Sequence, residues 1–436
     1  MSPLHRRPQQ WNLAPQVQCL SLQEPRFKRS LLWLHFERPM DQFRAGRTLV
    51  TEVLQQGCRR HPSRLHLVRA MEEAYGAQTA LHGRRRGDVQ EITLAMQWTS
   101  GRFLPAGEDL CPTVLNLGKE LLEDPRRGDG GEPFVAEVVE RERQNLLRRI
   151  RNLRDHRGQY AAERFRERMC AGEPCALPLT GTEEEVTALA ASDLEQARSE
   201  IADRASVSAI YVGSEDPESI REFLSSWFGT RQDRQALPPP VLAEAPPQLR
   251  EYFDPLEVEQ AHFCFGFRFP PPADSESTEA LSLANQVFGG GPSSRLFQVV
   301  REQKSLAYSI YSLIRTVKGH LIVGAGIDPA SYEAVLDSVF EQAKLVAEGG
   351  FSDAELETAR IHLIQDLRRI PDSASDWATF MDRERWLNLN RTPAERIRVL
   401  EQLNREQVME AAQQWQADTA YLLSPADQKS RLECLS

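Results

Sequence analysis

The 436-residue sequence contains no apolar run near the ~18 residues that would cross a bilayer, and no apolar leader follows its first charges. The opening Met1-Ser-Pro-Leu-His-Arg-Arg7 leads into polar residues, so a cytoplasmic protein with no membrane partner is expected. Cysteine is sparse and odd in number: Cys19, Cys58, Cys111, Cys170, Cys175, Cys264 and Cys434 follow no repeating spacing. That makes a poor disulfide framework and favours a reducing compartment. Cys170-Ala-Gly-Glu-Pro-Cys175 has the look of half a metal site, but no second pair stands near it. Lysine is scarce, the 53 basic residues being nearly all arginine, and 63 acidic residues bring the net charge to −10. This balance argues against nucleic acid as a general partner. Also missing are G-x-x-x-x-G-K-[ST], a G-x-G-x-x-G after a strand, and G-x-S-x-G. Their absence speaks against a phosphate loop, a dinucleotide site and an elbow-type serine nucleophile.

What is present is globular, 41% hydrophobic and 27% charged, and too long for one core. Ala236-Leu-Pro-Pro-Pro-Val-Leu-Ala-Glu-Ala-Pro-Pro-Gln248 fixes φ at many positions and removes donors, so it reads as an extended linker near the midpoint. The flanking segments, 1–235 and 249–436, resemble each other. The amphipathic run Arg143–Leu153 returns as Arg360–Ile370, 217 residues later. A helix near Asp193 before the strand-like Val207–Val212 returns as a helix near Glu406 before Thr419–Leu423. Offsets of about 210–217 at separate places indicate a duplicated domain. Leu31–Phe36, Val89–Met96 and the alternating Phe263, Phe265, Phe267 and Phe269 read as strands. The expected class is α+β: two tandem homologous domains, each an antiparallel-rich sheet with helices on one face.

The most informative segment runs from Asn285 to Tyr311. Gly289, Gly290 and Gly291 give a backbone able to take positive φ and to be approached closely. Ser293 or Ser294 is placed to cap a helix running to about Lys304, with a hairpin of strands turning at Lys318-Gly319 after it. Arg301 then lies near the helix end and Tyr308 at the start of the next strand, seven residues on. A guanidinium fork and a phenol aimed at one point can hold a peptide carbonyl and stabilise the oxyanion formed on attack. Spacing alone favours the blander reading, a surface arginine and a core tyrosine with no common task.

The run Phe-Gly-Gly-Gly-Pro-Ser-Ser-Arg-Leu-Phe-Gln-Val-Val-Arg-Glu-Gln-Lys-Ser-Leu-Ala-Tyr-Ser, residues 288–309, resembles the C-terminal-domain signature of the M16 (insulinase-like) peptidases. Residues 170–189, with their Gly-Thr-Glu segment, are similar to a second family stretch. The resemblance implies tandem M16-type domains, with Arg301 and Tyr308 touching peptide substrate and Gly289, Gly290, Gly291 and Ser294 lining its path. The family's zinc motif, H-x-x-E-H, is nowhere among the nine histidines. Thr48, Thr51 and Glu52 stand where its residues belong, with Glu140 or Glu142 at the distant ligand position. Two hydroxyls and a carboxylate make a poor zinc site. The family has zinc-less, YmfF-like bacterial members, and the resemblance implies the non-metal subunit of a heterodimer. Such a chain is inactive alone and has no cofactor of its own. It acts in trans on a peptide beside an H-x-x-E-H homologue that carries the zinc. The alternative is a non-catalytic scaffold or peptide-binding protein.

Overall fold

The computed structural model describes residues 3–231 and 233–425; Cys434 lies outside them. The first half of the chain contains β1 (Gln9–Ala14), β2 (Val17–Gln23), β3 (Arg29–Pro39), α1 (Arg44–Leu54), α2 (Arg64–Glu73), β4 (Gln78–Arg86) and β5 (Val89–Thr99). It continues with α3 (Cys111–Glu123), α4 (Ala136–Asn152), α5 (Arg157–Met169), α6 (Glu183–Ala188), α7 (Ala191–Ser199), β6 (Ser206–Gly213) and α8 (Pro217–Phe228). Residues 233–246 form neither helix nor strand. The second half contains β7 (Arg250–Pro255), β8 (Ala261–Arg268), α9 (Ser275–Phe288), a π-helix (Leu296–Gln303), β9 (Ala307–Arg315) and β10 (His320–Ile327). It ends with α10 (Tyr332–Ala347), α11 (Asp353–Arg369), α12 (Ala374–Trp386), α13 (Pro393–Gln402), α14 (Arg405–Gln413) and β11 (Gln416–Ser424). Among the described residues no helix is long and apolar enough to cross a membrane.

The duplication is visible in the sheets. One has the order β1-β2-β6-β3-β5-β4, the other β7-β11-β8-β10-β9. Apart from β1 the two orders match strand for strand, including one parallel pair in each, β2 with β6 and β7 with β11. The other pairs are antiparallel. The correspondence reaches single hydrogen bonds. Thr182 and Glu185 form a capping box at α6, as Thr392 and Glu395 do at α13. Arg143 of α4 donates to the Leu189 carbonyl at 2.9 Å, and Arg360 of α11 donates to that of Leu403 at 3.0 Å.

The compact units are not contiguous in sequence. The first comprises residues 1–152, 177–239 and 370–385; the second comprises 153–176, 240–369 and 386–436. Thus α5, from the first half, belongs to the second unit, and most of its counterpart α12 belongs to the first. Period-2 patterning explains how the second sheet receives α5. Phe263, Phe265 and Phe267 of β8 face the main helical layer, where Phe265 meets Phe340 of α10 and Phe267 meets Phe288 of α9. The alternate residues, Cys264 and Gly266, face α5 and its buried Ala161, Phe165 and Met169. Burying Phe165 and Met169 contributes about 1.5–3 kcal/mol each. In the first unit, α12 adds charge pairs to its buried Trp377, Phe380 and Met381. Asp382 pairs with Arg84 and Arg86 of β4, and Arg385 donates to Glu37 of β3 at 2.6 Å.

Candidate functional site

The glycine segment closes α9. The Gly289 and Gly290 amides both donate to the Asn285 carbonyl at 2.9 Å. None of Gly289, Gly290 and Gly291 takes a positive φ. Gly289 is needed for close approach instead, because a Cβ there would lie 2.5 Å from Ser312 Oγ and 2.8 Å from Leu296 Cδ1. Ser312 ties this corner to β9, donating its amide to the Gly289 carbonyl at 2.8 Å and its hydroxyl to Asn285 Oδ1 at 2.6 Å.

The helix that follows departs from the serine-capped α-helix expected. It is a π-helix entered through Arg295, with no side-chain cap. Ser294 is 1% exposed, and its hydroxyl has no hydrogen-bond partner among the described residues. The Ser294 carbonyl, not the hydroxyl, joins the helix by accepting from Gln298 at 2.9 Å. The amphipathic run still works as read, since Leu296 and Val300 are buried.

Arg301 sits in the last turn of the π-helix with its guanidinium 4.5 Å from the Phe297 ring centroid, and Nε lies 3.7 Å from Glu302. Ser305, in the short turn that follows, has φ +52°, a left-handed conformation that L-residues seldom adopt. Opposite Gly326 and Ile327 of β10, the register of β9 skips from Ser309 to Ala307, so Tyr308 is the extra residue of a β-bulge. It is 65% exposed. A π-helix, a left-handed serine and a bulge therefore lie within one short stretch around Arg301 and Tyr308. Bulges re-aim side chains, and π-turns and strained residues cluster at functional sites. Neither side chain is in the core. The structure brings the two onto adjoining elements, with the Leu306 amide bonded to the Val300 carbonyl at 2.9 Å.

The segment aligned with the zinc motif is occupied by structural bonds. The Thr48 hydroxyl donates to the Leu179 carbonyl at 2.9 Å and accepts from Gln90 at 3.1 Å. The Thr51 hydroxyl donates to the Arg47 carbonyl at 2.7 Å. Glu52 pairs with Arg149 at 3.0 Å, on a half-exposed surface. Arg47, fully buried on the same helix, is spent on Gln90, Glu200 and Asp41. Glu140 pairs with Arg143 at 3.2 Å, while Glu142 accepts from Arg141 and Asn145, both at 2.9 Å. Neutral hydroxyls already donating to carbonyls do not suit a zinc ion.

Residues 189–363 match the model of the peptidase M16 inactive domain. The "Probable inactive metalloprotease YmfF" of Bacillus subtilis is 25% identical over 377 residues, covering 86% of this chain and 88% of the relative. An "Uncharacterized zinc protease" of Mycobacterium tuberculosis, Rv2782c, is 28% identical over 328 residues, 73% of this chain and 71% of that one. Among solved structures, a conserved protein from Enterococcus faecalis V583 superposes with a TM-score of 0.86 at 19% identity, covering 96% of this chain and 99% of that one. The peptidase M16 inactive domain from Pseudomonas fluorescens gives 0.78 at 18% identity, with 96% and 98% covered. Residues 189–363 thus match the M16 inactive domain, and in sequence and fold the chain is similar to M16-type peptidases, inactive relatives among them.

Proposed function

We propose that this chain is the non-metal subunit of a heterodimeric M16-type peptidase, acting in trans beside an H-x-x-E-H homologue that carries the zinc. The observation that carries this reading is the pair Arg301 and Tyr308, held out of the core by a π-helix end and a β-bulge. Arg301 binds the carbonyl of a peptide through its guanidinium fork, and Tyr308 donates one directed hydrogen bond to the same oxygen as charge develops there. Gly289, Gly290, Gly291 and Ser294, which fix the π-helix against β9, serve the same substrate path. The chain alone cleaves no peptide, since Thr48, Thr51 and Glu52 cannot replace the zinc ligands. The odd number and irregular spacing of the cysteines support a reducing, cytoplasmic setting.

The test is to mix the chain with its H-x-x-E-H homologue and follow cleavage of a quenched peptide, measuring association separately. Arg301→Ala and Tyr308→Phe are each expected to lower turnover by ~10²–10³-fold with association unchanged. Wild-type turnover from both variants in an active complex would refute the catalytic role. One observation favours a second reading, a peptide-binding scaffold. Tyr308, Tyr311 and Leu313 are 65%, 50% and 43% exposed on β9, which is the edge of its sheet. Edge strands accept extended peptides by backbone pairing, and on that reading Tyr308→Phe is silent.

A further inference from the structure

Among the described residues, Cys170 and Cys175 are in contact. α5 ends at Met169, Cys170 is its C-cap, and Cys175 lies in the 3-10 turn Pro174–Ala176. Gly172, at φ +86°, permits the reversal between them. The Glu173 amide closes it by donating to the Cys170 carbonyl at 2.9 Å. Both thiols are buried and hydrogen-bonded to each other. The first residue of β10, the buried His320, comes to the same place. Cys170, Glu173 and His320 each offer a ligating atom within 4.8 Å of the others.

Electrostatics separates the roles of these groups. Glu173 is already neutralised, accepting from Arg268 Nη2 and from Lys318 Nζ, both at 2.7 Å. Arg268 also donates to Asp418 at 2.5 Å, and Arg250 pairs with the same carboxylate. The pocket thus holds two carboxylates against three fixed cations, so a divalent ion could not enter unless compensating protons left. Two thiols supply that compensation, because each loses its proton on binding metal and the local net charge is unchanged. Two thiolates and an imidazole are donors that zinc favours, and a fourth ligand would close the site. A tetrahedral site with bonds of about 2.0–2.3 Å puts its ligands roughly 3.3–3.8 Å apart, so Cys170, Glu173 and His320 close from their 4.8 Å spread with shifts of about 1 Å. Cys175, outside that trio, reaches the ion by turning from its hydrogen bond to Cys170.

We propose that Cys170, Cys175 and His320 bind one thiophilic divalent cation, zinc foremost, with Glu173 positioned to complete or brace the fourth site. The ion staples the turn after α5 to β10 within the second unit. This departs from the sequence expectation of a chain without its own metal. It is independent of the trans-acting role, because none of these residues belongs to the Arg301–Tyr308 site. The sequence presented Cys170 and Cys175 as half a site; the fold supplies the missing ligand from 145 residues further on.

The full-length chain, reduced with a phosphine and stripped by chelator, is titrated with cobalt(II) and then back-titrated with zinc. One equivalent of cobalt is expected to give thiolate-to-cobalt charge-transfer absorption and the visible bands of a tetrahedral site, both lost on adding zinc. Cys170→Ser, Cys175→Ser and His320→Ala should each weaken cobalt binding by about 100-fold or more, and Glu173→Gln by about 10–100-fold. Cys264→Ser, at a buried cysteine facing the same helix, should leave it unchanged within about twofold. A folded, reduced wild-type chain that shows no charge-transfer band would overturn the proposal without recourse to any variant. So would cobalt binding that survives both Cys170→Ser and Cys175→Ser. Finding Cys170 and Cys175 joined as a disulfide in unreduced protein, with no cobalt taken up after reduction, would overturn it equally.

Discussion

Gly266→Ala probes the seating of α5 on a sheet built mainly from the other half of the sequence. A Cβ at Gly266 would lie 2.5 Å from Met169 Sδ and 2.9 Å from Phe165 Cζ. To restore ordinary contact the thioether must retreat about 1 Å and the ring about half an ångström. Met169 has flexible torsions to spend, but it is 1% exposed and Phe165 is rigid. Overpacking of this kind costs about 1–3 kcal/mol, against which alanine in a strand regains about 0.5–1 kcal/mol of backbone entropy over glycine. The expected net loss is about 1–2 kcal/mol. Met169→Ala alone should cost about 2–5 kcal/mol through its cavity, and the double variant should be less destabilised than the sum, by about 1 kcal/mol or more. The assay is urea unfolding of the full chain, with hydrogen exchange resolving residues 153–176 so that the second unit's transition is followed by itself. A neutral or stabilising Gly266→Ala, or strict additivity with Met169→Ala, would show that α5 does not pack on β8 in this way.

Other outcomes follow from the charged clusters. Burial alone would raise the Asp382 carboxyl, yet Arg385, His35 and Arg86 hold it below the usual carboxylate range. Its contribution to stability is therefore complete above an unfolded pKa of about 4 and is lost as pH falls through the lower folded value. Asp382→Asn should reduce stability at pH 7 by about 3–5 kcal/mol and flatten the acid limb of the unfolding curve, while an unchanged acid limb would contradict the pairing. Glu52→Ala removes a half-exposed partner of Arg149 and should change stability by less than about 1 kcal/mol, with metal content unaltered. Loss of bound metal on that substitution, measured by elemental analysis, would reinstate the segment as a ligand position.

Periodic and punctuated features were legible in the sequence. The repeat at 217 residues is the offset between α4 and α11, and the one at 210 is that between β6 and β11. The alternating phenylalanines of β8 announced one buried face of a strand read as half-buried, whereas α5 buries its other face too; Lys318-Gly319 announced a turn in which Gly319 takes φ +63°. Arg301 and Tyr308 were singled out by motif and spacing, and the structure leaves both side chains accessible. The backbone that presents them was not legible, since a π-helix differs from an α-helix by one residue of register and leaves no pattern in eight positions. The serine cap failed for the same reason: the chain enters that helix through Arg295, leaving the Ser294 hydroxyl inside. Most opaque was the placement of α5 and α12. Amphipathic periodicity says that a helix has an apolar face, but not which sheet will cover it. The approach of His320 to Cys170 was hidden with it.

The traded helices bear on how the chain is made. The first unit lacks residues 370–385 until the ribosome has run well past the Pro-rich segment at 236–248. At translation rates of about 5–20 residues per second, its sheet waits roughly 7–30 s after residue 239 for Asp382 and Arg385 to reach Glu37, Arg84 and Arg86. During that interval the buried acids and histidine of β3 and β5 have water where α12 will lie. The strand faces that wait are polar at that spot, with His35, Glu37 and Glu91 in place of apolar residues. A nascent sheet so exposed remains hydrated instead of sticky, which lets the molecule postpone closing one half until the other has been synthesised.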